Sequence, residues 1–224
     1  MVVTGPLRRL TYTTLLVAVP TGAVSVLAVA VGAHLRGSAV SGASLAAAYG
    51  MGNLAASLLV TAFPMTSEPE QLLIRCTAGV ATAFALCAAA PSYSVAVTAF
   101  ALLGASNAPW FAATLAARSS YSPPAARAQV FVTSAGLKVA ASSAGTAATG
   151  ALLTVADPRA LLLSGGALMA VTAGAAAIDR KRSVARQAAS SPQDDDQQPS
   201  TVRDSEKSAG LVGPGEPGDR TSTV

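Results

Sequence analysis

Half of the 224 residues are hydrophobic, 12% are charged, and the mean hydropathy is +0.49 even with a long polar tail included. These values exclude an ordinary soluble domain and imply a multi-span membrane protein, with the lipid bilayer as its first partner and no nucleic acid expected. Aromatic residues make up only 4% of the chain. Ala, Gly, Ser and Thr fill much of the apolar stretches, so each span is weakly hydrophobic alone and must depend on the others.

Cutting the chain at its Pro, Gly and charge clusters leaves six apolar stretches near the roughly 20 residues that cross a bilayer. They lie at about 10–33, 41–63, 72–90, 94–117, 128–154 and 159–178. The connectors between them are short, with no room for a soluble domain. The expected architecture is therefore an all-α membrane protein: an N-terminus at 1–9, a six-span domain over 10–182 and a tail at 183–224. The tail is polar, rich in Pro, Gly and Ser, and lacks the large apolar residues of a core, so disorder is expected there. With the N-terminus in the cytoplasm, the inner flanks carry Arg8, Arg9, Arg75, Arg118, Arg127, Arg180, Lys181 and Arg182, against Arg36 and Arg159 outside. That asymmetry puts both termini in the cytoplasm, in the inner membrane of a cell. The first stretch has the basic start of a targeting segment, but its apolar run is long for one, and its removal would spoil the alternation of charge. Tyr12, Tyr93 and Tyr121 fall near expected membrane interfaces.

Catalytic patterns are absent. His34 is the only histidine; without a second His, paired Cys or nearby carboxylate it predicts no metal site, and it reads as an interface residue. Cys76 and Cys87 are eleven residues apart in one apolar run, about 16 Å along a helix and too far for a disulfide. No nucleotide-binding loop occurs. Neither an enzyme nor a cofactor is expected.

Chemistry is left to the polar residues inside the spans. Tyr49 and Asn53 share a face of the second stretch, and Asn107, Trp110 and Thr114 share one of the fourth. In the fifth, Ser134, Lys138, Ser142, Gly145 and Thr149 form a small and polar stripe, which either lines a watery cavity or packs closely on another helix. Gly42, Ala46 and Gly50 suggest close packing in the second. Lys138 is the exception. It lies eleven residues beyond Arg127, about 16 Å and close to the midplane of a 30 Å core. A charge there costs about 2.5–3.5 kcal/mol on insertion scales, so it should face protein or water rather than lipid. The eleven acidic residues all lie in loops, at span ends or in the tail. Lys138 is then neutral, or faces water, or has as its anion a solute or a second protein.

The stretches YGMGNLAASLL, GASNAPWFAATLA with the PPAARAQVF loop, AGLKVAASSAGTAATGALL and a short last span ending in DRKR together resemble the C-terminal half of a major facilitator superfamily transporter, most closely its bacterial drug or sugar efflux branch. The family's G-x-x-x-D-[RK]-x-G-[RK]-[RK] loop is replaced here by TAFPMTSEPEQLLIR. The resemblance implies transport of a small organic solute by alternating access, with the first and fourth spans lining a central cavity, the second and fifth at the seam with another half, and the third and sixth facing lipid. Such a machine needs two halves, so a homodimer or a second six-helix half is implied. Lys138, Asn107, Trp110, Tyr49, Asn53, Ser134 and Ser142 are the expected solute-pathway residues, with Lys138 attracting an anion or gating, Asn107 hydrogen bonding and Trp110 stacking. The competing reading is a non-transporting membrane subunit or the remnant of a transporter.

Overall fold

The computed structural model describes residues 5–63, 69–121 and 127–190. The connector holding Glu68, the Pro123–Pro124 loop and the tail from 191 onward lie outside the described residues. Residues 1–181 form one compact unit and 182–224 another. The described residues fold into seven helices and no strand: α1 Gly5–Gly22, α2 Val24–Arg36, α3 Ala39–Ala62, α4 Pro69–Ala89, α5 Tyr93–Tyr121, α6 Arg127–Leu152 and α7 Pro158–Ser190. Five segments are long and apolar enough to cross a membrane: Thr11–Arg36, Val40–Ala62, Gln71–Ala89, Tyr93–Ser120 and Pro158–Ser183. The fifth expected stretch, α6, has the length at 26 residues; its Ser, Thr and Gly content and Lys138 hold its hydropathy below that of the others. The last helix runs to Ser190, past the expected end of its span and into the stretch expected to be tail.

The first stretch is two helices rather than one. Pro20 has no N–H to give the preceding turn, and the chain tightens there through a bond from Ala23 N to Pro20 O of 3.2 Å before α2 resumes at Val24. At the far end of α2, Gly37 takes a left-handed conformation at φ 65° and its N–H caps Ala33 O at 2.7 Å, a backbone state that glycine adopts without strain. Ser38 follows as N-cap of α3, accepting from Val40 N at 3.2 Å. The resulting hairpin closes tightly: a Cβ on Gly42 would fall on the backbone of Val29.

The expected packing stripe of the second span is therefore only half right. Gly42 is in it, whereas Gly50 has open space; Gly52 instead meets Ala101 of α5, and Gly104 of α5 meets the Tyr49 carbonyl. These contacts set α3 and α5 side by side and parallel, about 50 residues apart in register. A second parallel pair is built from α1 and α6, where Gly22 meets Ser142 and Gly145 meets Val19. Small residues allow both approaches, because without a Cβ two backbones can touch.

One end of the bundle is tied by polar contacts. Arg36 stacks on the Tyr93 ring at 4.2 Å, Tyr93 Oη donates to Ser41 O at 3.2 Å and also bonds Ser44, and Arg159 donates to Ala90 O at 3.0 Å. The α2–α3, α4–α5 and α6–α7 connections thus meet at the same end, so the six rods alternate in direction. The two cations of the expected outer side are both engaged there, and Tyr93 is a structural clasp. Between the ends the core is apolar, with Leu27, Val80, Phe84, Phe100, Leu103 and Trp110 buried. The expected lipid-facing third span contributes Val80 and Phe84 to it. Phe84 also fills the space beside Gly165 and Gly166 of α7.

Candidate functional site

The site is built on α5. Trp110, Thr114 and Arg118 recur every fourth residue, so they stack on one helix face. All three are buried, with Trp110 1% and Arg118 5% exposed. Thr114 donates its hydroxyl to Trp110 O at 2.9 Å. Trp110 donates its indole N–H to Thr77 Oγ1 of α4 at 3.1 Å, and Thr77 in turn donates to Leu73 O at 2.8 Å. The indole is thereby locked between α4 and α5. It is a buried ring pinned by a hydrogen bond, not an open stacking surface for a solute.

Lys138 reaches this face from α6. Its Nζ lies 4.2 Å from the Phe111 ring centroid and 5.3 Å from that of Trp110. Aromatic rings stand here where a carboxylate would be expected. Each cation–π contact is worth about 0.5–2 kcal/mol, more when desolvated, against an insertion cost of about 2.5–3.5 kcal/mol. The rings offset part of the cost. Among the described residues neither cation pairs with a carboxylate, and Arg118 Nε is buried without a hydrogen-bond partner. Lys138 thus rests on π-faces at one level of α5, and Arg118 is buried two turns further along the same helix face.

The remainder of the α6 stripe serves a different purpose. Ser142 donates to Ala18 O at 3.2 Å and Thr146 to Gly22 O at 2.8 Å. Those carbonyls flank the Pro20 break, so α6 hydroxyls support the backbone that the proline disturbs. Here the stripe packs closely, with Gly145 at its centre. The same contacts place Lys138 level with buried Thr14 of α1. Ser134, one turn before Lys138, is half-buried and makes no hydrogen bond among the described residues.

Tyr49 and Asn53 lie at the α3–α5 contact, where their backbones face Gly104. Both side chains are half-buried, as is Asn107. None of the three is brought to Lys138 by a contact in the structure. Six of the seven expected residues thus separate into a cationic centre (Lys138 and Trp110), a helix seam (Ser142) and the α3–α5 neighbourhood (Tyr49, Asn53 and Asn107), while Ser134 joins none of these. Comparison with protein-family models, with curated proteins and with solved structures found no match. Arg118 was absent from the expected set because its position at a span end reads as an orientation charge. The signal for it was present: it continues the four-residue spacing of Trp110 and Thr114.

Proposed function

We propose that this chain is one six-helix half of a membrane transporter that moves a small organic solute by alternating access. The observation that carries the reading is the symmetry of helix pairing. The first rod (α1 with α2) runs parallel to α6, the fifth, and α3, the second, runs parallel to α5, the fourth. Exchanging the first three rods with the last three turns each pair into the other. Two three-helix repeats inserted in opposite senses have this relation, and secondary transporters are commonly built so.

In the major facilitator reading, α1 and α5 line the cavity and α3 and α6 border the second half. The exposed side of α3, with Met51, Leu54 and Leu58, is then available to a partner half, either a second copy or a separate six-helix protein. Both termini are cytoplasmic and the direction is efflux. Proton coupling, which uses an intramembrane carboxylate or histidine, falls to the partner.

The test is the mass of the tagged chain purified from native membranes in mild detergent, followed by solute flux in vesicles. A dimer or a complex with another six-span chain, with flux that depends on it, is expected. A stable lone chain without flux would replace this reading with that of an assembly subunit or transporter remnant.

A further inference from the structure

We propose that Arg118 and Lys138 together form an oxyanion-binding site, and that the solute carries a carboxylate or phosphate group. That the bound oxyanion is the transported solute rests on the transport reading above; the binding itself does not.

Arg118 carries the argument. It is 5% exposed, and its Nε is buried with no partner. An unmet charged donor in a protein interior costs several times what an ordinary hydrogen bond contributes. A carboxylate or phosphate supplies the fork that a guanidinium fits, two acceptor oxygens side by side. Lys138 supplies a second positive charge against the face of α5 that carries Arg118, held at 4.2 Å over Phe111 and 5.3 Å from Trp110. Cation–π contact positions an ammonium without neutralising it, so its charge stays available to an anion. Asp179, near the end of α7, is the one acidic residue inside the membrane-length segments, and neither α5 nor α6 contains any. A neutral solute would leave the buried Arg118 donor unmet. An oxyanion lying along this face of α5 gives Arg118 its missing acceptor and meets the Lys138 charge.

Two sources offer this group: a soluble organic or inorganic acid, and the headgroup of an anionic lipid reached near the inner end of α5. Trp110 is the only tryptophan in the chain and lies 5.3 Å from Lys138 Nζ, so indole emission reports on the site alone. The full chain is placed in nanodiscs of phosphatidylcholine and titrated with benzoate and with inorganic phosphate. A parallel sample contains phosphatidylglycerol. A saturable change in emission is expected, weakened about tenfold or more in Arg118→Gln and in Lys138→Gln and unaltered in Arg75→Gln, which changes an exposed cation. A response confined to phosphatidylglycerol, with the same loss in both variants, assigns the site to a lipid phosphate. If Arg118→Gln does not fold, Lys138→Gln carries the comparison. No saturable response to any of the three probes, or equal affinity in the variants, overturns the proposal. Binding without flux would leave the site standing and remove transport; flux of an uncharged solute without oxyanion binding would do the reverse.

Discussion

The Lys138 ammonium rests over the Phe111 ring at 4.2 Å, joining two residues that the sequence places on separate helices 27 positions apart. The pair is a compromise: the rings return only part of what it costs to hold a charge near the midplane. Lys138→Met keeps the length and apolar stem of the side chain and removes the charge. Thermal stability in detergent should be unchanged or raised, by up to about 2 kcal/mol. A marked loss would mean that Lys138 has a stabilising partner beyond the rings.

Gly145 and Gly150 are both glycines of α6, but only the first touches a neighbour. A Cβ on Gly145 would collide with the Val19 carbonyl, while Gly150 has nothing within 4 Å. Gly145→Ala should therefore separate α1 from α6 at a cost of about 1–3 kcal/mol. Gly150→Ala should be neutral or slightly stabilising, because alanine favours helix. Melting the two variants side by side checks this, and equal stabilities would contradict the close seam.

Thr77 and Thr82 both return their hydroxyls to the helix, at 2.8 and 3.0 Å, but only Thr77 also accepts from Trp110. Replacing it with valine leaves a buried indole N–H unmet. Thr77→Val should cost about 1–3 kcal/mol and shift Trp110 emission. Thr82→Val, at an exposed position, should leave both unchanged.

The contacts of Arg36, Tyr93 and Arg159 gather three connections at one end of the bundle. In the proposed orientation this end is external. With Cys76 and Cys87 replaced by alanine, Ser38→Cys and Ser92→Cys should both react with an impermeant maleimide added outside intact cells. Labelling of one alone would contradict the shared end. Labelling of neither before the membrane is opened would invert the orientation.

Much of this protein is decided along the chain itself. Hydropathy and length determine a helical membrane protein, because hydrocarbon leaves a backbone few ways to satisfy its polar groups. Breaker residues placed the helix ends within a few positions, apart from the Pro20 break and the extension of α7. Contacts between helices are not decided there, since periodicity tells which residues share a face and nothing of what that face meets. Ser142 and Thr146 read as a polar stripe, yet their acceptors are carbonyls 124 positions earlier, on either side of a proline on another helix. Arg118 read as a flanking charge because its burial depends on how α5 packs against its neighbours. Only the tertiary structure brings Lys138 and the two rings together against the face of α5 that carries Arg118, because α5 and α6 are positioned by packing on α1 and by no local preference of either.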